Sequence, residues 1–179
     1  MKNFFRKVAF GIGLNEEVPS DPLNWALNQV DKIPDFSWKG KILTEKELRG
    51  HYRDWVYGDR EKLRKKYKNN KTLYKLNKDK LRHDTGQKFW ESLEISIRHN
   101  EAINSNNPVL AKLWMFWGNF FTISEKDFLA NYSTGPYQRE IIRANMDQTF
   151  EKMVYEVTTS WAMIHHLDNS ESAGPKSVT

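Results

Sequence analysis

The chain has 179 residues, 39% of them hydrophobic, with a formal net charge of +5. That gives room for one domain with its own core and too little for two comfortable ones. It has no cysteine, which excludes disulfides, thiol catalysis and cysteine-based zinc or iron–sulfur sites. No apolar run approaches the roughly 20 residues of a transmembrane helix. Mean hydropathy is low at -0.77, so burial has to be concentrated in a few segments.

In chain order, Met1 to Leu14 pairs a charged start with a short apolar patch interrupted by Gly11 and Gly13. A signal peptide would need an unbroken apolar stretch and a small-residue cleavage site, and Asn15-Glu16-Glu17 offers none. The spacing predicts instead a short amphipathic helix ending at Gly11 or Gly13. Ser20-Asp21-Pro22 opens the next helix, capped by Ser20 or Asp21, with Leu23, Ala26, Leu27 and Val30 inward. That helix stops before Pro34, and Asp35 to Gly40 is a connection. Thr44 and Glu47 have the spacing of a capping box. Leu48, Tyr52 and Trp55 then share a face until Gly58.

The segment from residue 59 to 85 is the most basic in the chain and reads as a loosely docked helical insertion, with a break near Asn69-Asn70. Arg60, Arg64, Lys65, Lys66 and Lys68 are its candidate polyanion contacts, interleaved with Leu63 and Tyr67. Cations alternating with aromatics can hold phosphates and stack bases. No groove-reading motif accompanies them, however, which argues against nucleic acid and for a solvated helix. From Gln87 to Glu101 the helical period returns, with Phe89, Trp90, Leu93, Ile97 and Ala102 inward and Arg98, His99 and Glu101 toward water.

The densest apolar stretch is Leu113-Trp114-Met115-Phe116-Trp117-Gly118-Asn119-Phe120-Phe121. Pro108 suits the first helical position and Asn107 its cap. Leu110, Leu113, Trp114, Trp117 and Phe121 fall on one face, while Met115, Phe116 and Phe120 make the helix apolar nearly all round. Such a helix is expected to be enclosed on several sides, with Asn119 finding a buried partner. Ser124 is the expected cap of a short helix carrying Phe128 and Leu129, and Ser133 to Pro136 reads as a turn. Ile141, Ile142, Met146, Phe150, Met153, Val154, Val157, Trp161, Ile164 and Leu167 then recur at helical spacing, with a break and fresh capping at Ser160. No stretch alternates as a strand would. The expected fold is all-α, an irregular multi-helix bundle around a central aromatic helix.

Three segments taken together carry a resemblance. They are Leu113 to Ser124, Arg143-Ala144-Asn145 leading to Phe150, and Ala162 to Pro175. Their ordered pair of motifs is Phe116-Trp117-x-Asn119-x-Phe121 and Leu167-Asp168-Asn169-x-x-Ser172, followed by Gly174 and Pro175. In these the chain resembles the bacterial "domain of unknown function 1800" family, from about Trp90 to the end. The resemblance implies a helical protein, commonly exported to the periplasm and often encoded beside a sulfatase-like enzyme, with no assigned reaction and no cofactor. It implies that further helices follow, so the chain is read as the amino-terminal fragment of a longer protein and an incomplete domain. Family members usually place histidine at the positions of Gly118 and Phe120, so any role of those histidines is missing here.

His165, His166 and Asp168 are the nearest approach to a metal cluster. Adjacent helical histidines diverge and no third ligand is evident, so no metal is expected. The competing expectation is that Asp168 and Asn169 turn the chain after Leu167. Arg139, Glu140 and Arg143 fit either an acidic ligand or ordinary helical charge pairing. Three functions stay open on these residues. One is an interaction or scaffold partner of the sulfatase-like enzyme. Another is a hydrolase completed by residues beyond Thr179, with Asp168 and Asn169 on its rim, and the last is polyanion binding through the basic segment.

Overall fold

The computed structural model describes residues 2–12, 16–124 and 127–174. Helix makes up 70% of it and there is no strand among the described residues, so the fold is all-α. The helices are α1 (Lys2–Val8), α2 (Pro22–Asn28), α3 (Glu45–Arg53), α4 (Arg60–Lys66), α5 (Lys71–Asp84), α6 (Gln87–Asn104), α7 (Pro108–Phe120), α8 (Phe128–Pro136), α9 (Phe150–Thr159) and α10 (Trp161–His166). Their residues gather into two compact units, each assembled from three stretches of chain. The first draws on Met1–Lys41, Ile95–Thr122 and Gln138–Val157, the second on Ile42–Glu94, Ile123–Tyr137 and Thr158–Thr179.

In the first unit α1 ends as its glycine suggests. The N–H groups of Ala9 and Gly11 both donate to the Phe5 carbonyl, at 2.9 and 3.2 Å, and Gly11 has φ of 108°, a conformation open to glycine alone at no cost. Gly13 lies outside the described residues. Asp21 caps α2 by accepting from Asn24 N–H at 3.0 Å. The inward face of α2 differs from expectation. Leu23 and Leu27 are 63% and 53% exposed, while Trp25, Ala26, Gln29 and Val30 turn inward. Ala26 packs with Ala9 and Val109, where small side chains allow close approach. Gln29 is drawn in because its Oε1 accepts from Val109 N–H at 3.1 Å. That bond serves the first turn of α7, whose own Asn107 sits at the cap position without a side-chain bond.

The second unit is built on Leu43, Leu48, Trp55 and Tyr132, with Tyr52, Val56, Leu81 and Trp90 against them. The Thr44 and Glu47 box is formed, with Thr44 N–H donating to Glu47 Oε2 at 2.8 Å and Glu47 N–H to Thr44 Oγ1 at 3.2 Å. The helix does not stop at Gly58. It continues through a π-helical stretch, Asp54–Asp59, into α4. The break comes where Asn70 Oδ1 accepts from Leu73 N–H at 3.0 Å and so caps α5. Ser133 to Pro136 is not a turn either but the end of α8. Gly135 is needed there because a Cβ would lie 2.2 Å from Glu94 Cγ, and past Pro136 the N–H of Tyr137 bonds to the Ser133 and Thr134 carbonyls. Ser160 caps α10 as the sequence implied, accepting from Met163 N–H at 3.2 Å.

Two further breaks were not evident from periodicity. Tyr137–Ile142 is π-helical and Arg143–Asn145 a 3-10 turn, so the chain bends before α9. Several residues at inward-reading positions are open, among them Phe89 at 42%, Phe150 at 56% and Leu167 at 64%. Conversely Glu101, expected in water, is buried. Its Oε1 accepts from Ser37 N–H at 2.5 Å and from Ser37 Oγ at 2.6 Å.

Candidate functional site

The aromatic helix α7 has two unlike sides. On the packed side stand Leu110, Ala111, Trp114 and Gly118. The Trp114 indole Nε1 donates to the Gln138 carbonyl at 2.6 Å, and the ring meets Phe36 edge-on at 5.9 Å. The Arg143 guanidinium lies 4.0 Å over Phe36 and donates to the Pro34 carbonyl at 2.6 Å. Burial holds both Arg143 and Arg98 below the usual arginine range, with Glu101 and Asp35 opposing the shift at Arg143. Arg139 and Arg143 are therefore buried, not a surface charge ladder. Gly118 marks the closest approach, since a Cβ there would stand 2.3 Å from Gln138 Oε1 and 3.1 Å from Arg98 Nη2.

The other side is open, contrary to the enclosure expected from composition. Phe116 and Phe120 are 55% and 59% exposed, Trp117 and Phe121 are half-buried, and Asn119 faces out without the enclosed setting expected of it. The reason is that the buried stripe follows the small residues Ala111 and Gly118, which displaces the larger rings to the flanks. Those rings form one continuous surface with Phe150. Trp117 stacks on Phe121 at 5.8 Å and meets Phe150 at 5.9 Å, while Phe116 stacks on Phe120 at 6.2 Å. The two positions that carry histidine in the resemblance, Gly118 and Phe120, thus lie on opposite sides of the helix, one packed and one open.

The second motif closes a corner of the second unit. His165 Nε2 lies 3.1 Å from both carboxylate oxygens of Asp127. His166 Nδ1 accepts from Ser124 N–H at 3.1 Å and lies 3.2 Å from Ser124 Oγ. Ser124 is thus not the cap of α8; Asp127 is, accepting from Leu129 and Ala130 N–H at 2.9 and 3.1 Å. Partial burial pushes the Asp127 carboxyl upward, but the Ala130 N–H, His165 and Leu129 N–H together hold it below its ordinary range. The Asp127 oxygens serve a cap and an imidazole, and His166 Nδ1 accepts from a backbone donor. Among the described residues no three His, Asp or Glu side chains converge to hold a metal.

Asp168 follows with φ of 57°, a left-handed conformation that Asp and Asn tolerate better than most side chains. Asn169 and Ser172 complete the turn, Ser172 Oγ donating to Asn169 Oδ1 at 2.7 Å. Leu167 and Gly174 are exposed, and Pro175 lies outside the described residues. The basic segment is partly gathered. Arg64, Lys65 and Lys68 share one cleft with Glu61, Tyr67, Lys71 and Tyr74, while Arg60 is drawn away over Phe128 at 5.2 Å and Lys66 lies 5.2 Å over the Tyr67 ring. Sequence reasoning missed Asp127, although an Asp directly before Phe128-Leu129-Ala130 is a recognisable helix start.

These features define an all-α protein in which the first motif lies on the open side of an aromatic helix and the second turns the chain after α10. The model of the family described as "Protein of unknown function (DUF1800)" matches residues 15–177, and the chain belongs to that family. No curated protein and no solved structure gives a significant match. No helix among the described residues is long and apolar enough to cross a membrane.

Proposed function

We propose that the protein is an interaction or scaffold protein that presents the open side of α7 to a protein partner, the sulfatase-like enzyme of the bacterial envelope being the first to test. One observation carries this reading: Phe116 and Phe120 of α7, whose opposite side is locked, and Phe150 at the start of α9 are each more than half exposed within a single aromatic surface. Exposed aromatic clusters of this kind are rarely left in water and supply the anchors of protein interfaces. The test is co-expression with a sulfatase-like candidate partner. A stoichiometric complex that Phe120→Asp dissolves, with helix content unchanged, is the expected result. A clean monomer under several conditions, or a complex indifferent to Phe120→Asp, would end the reading.

A second reading is a hydrolase whose site is completed by residues beyond Thr179, with Asp168 and Asn169 on its rim. It has in its favour the gathering of His165, His166 and Asp127 at one corner. Metal analysis of a longer natural chain, followed by Asp168→Ala, decides it. Absence of bound metal together with an unchanged Asp168→Ala phenotype removes it.

A further inference from the structure

The hairpin of α4 and α5 is the part of the molecule that the core does not explain. Neither helix contains a fully buried residue. Yet residues 60–82 hold eleven of the chain's 28 Lys and Arg, opposed only by Glu61 and Asp79. That excess is greater than the net charge of the whole chain, +5, so the remainder is acidic overall. The cations are also gathered. Arg64, Lys65, Lys68 and Lys71 line a cleft of about 500 Å³ with Tyr67 and Tyr74. Lys71 and Lys75 border the adjoining concave surface, which holds Leu76.

The leucines decide what such a surface fits. Leu73 and Leu76 are 42% and 66% exposed, and Leu76 lies well round α5 from Leu81, the residue that packs on the core. A merely solvated hairpin has no use for leucines there. A nucleic-acid site would use the cations and tyrosines but gains nothing from exposed aliphatic groups. An exposed leucine bordered by Lys71 and Lys75, beside a cleft of further cations and tyrosines, is the composition of a segment that rests in the boundary between lipid headgroups and acyl chains.

We infer that the α4–α5 hairpin docks on an anionic lipid bilayer, with Leu76 entering the surface and Arg64, Lys65, Lys68 and Lys71 meeting the lipid phosphates. This inference does not rest on the reading given to the aromatic surface of α7. The experiment is sedimentation of the full chain with vesicles of phosphatidylcholine alone and of phosphatidylcholine mixed with phosphatidylglycerol. Binding is expected only to the mixed vesicles and weakens as salt is raised. Leu76→Ser should lower the affinity about tenfold. Each cation removed should lower it roughly fivefold, so Lys65→Glu, Lys68→Glu and Lys71→Glu combined should lower it at least about a hundredfold. Circular dichroism checks that helix content is kept, and Lys68→Gln provides the milder variant. Equal binding to both vesicle types, or to neither, overturns the inference. So does a Leu76→Ser variant that binds as well as the parent while a single-stranded RNA oligomer binds tightly and salt-sensitively, which would assign the surface to nucleic acid.

Discussion

Trp114 and Phe120 stand six residues apart on one helix and have opposite fates, and the difference is measurable. Trp114 is 1% exposed, with its indole N–H bonded to Gln138. Trp114→Ala should cost about 3–5 kcal/mol of unfolding free energy in urea. Phe120→Ala, at a position 59% exposed, should stay within about 1 kcal/mol. Equal losses would show that the two sides of α7 are not distinct. At Asp168 the left-handed backbone sets a requirement of its own. Asp168→Gly should be close to neutral and Asp168→Val should lose roughly 1–2 kcal/mol. The reverse order would point to a ligand role. Asp127 gives a pH signature. Its carboxyl is held low in the folded state, so its stabilisation is complete above the ordinary carboxylate range, about 3.9, and fades as pH falls through the lower folded value. The stability difference between the parent and Asp127→Asn should therefore be constant near neutral pH and shrink in acid; a difference that grows in acid would contradict the assignment.

At the scale of elements, the helices that sequence made legible were those with a capping residue written beside them. Thr44, Asn70 and Ser160 each accept the backbone N–H that their side-chain chemistry predicts. What the sequence hid are backbone irregularities, the π-helical stretches Asp54–Asp59, through which the helix continues, and Tyr137–Ile142, which keep a nearly helical period and leave no compositional mark. Gly58 and the Gly135-Pro136 pair misled for another reason. Local turn preference is weak beside tertiary packing, and Gly135 serves the side chain of Glu94. The start of α7 shows the same override, since its N–H partner comes from Gln29, distant in sequence. Gln29→Ala should cost about 1–2 kcal/mol and speed hydrogen exchange at Val109. Unchanged protection at that amide would show that the bond is dispensable.

For the whole molecule, helical spacing without strand alternation was enough to give the all-α class, and the two motifs were enough to give the family, because both are ordered, spaced and chemically specific. What periodicity could not give was which side of an all-round apolar helix would be covered. That was settled by Ala111 and Gly118, whose smallness invites close packing, while Phe116 and Phe120 were left outside. Each compact unit is assembled from three separated stretches of chain, and the stretches of the two units alternate along the sequence. We therefore expect one thermal transition, coincident by far-ultraviolet circular dichroism and tryptophan fluorescence; two resolved steps would mean that the units fold independently.

The account rests on α7 having one locked side and one that awaits a partner, and hydroxyl-radical footprinting read by mass spectrometry tests this most directly. In the isolated protein Phe116, Phe120 and Phe150 should be oxidised readily and Trp114 scarcely at all, and adding the proposed sulfatase-like partner should protect the phenylalanines. Rapid oxidation of Trp114, or phenylalanines that stay equally reactive in a demonstrated complex, would contradict it.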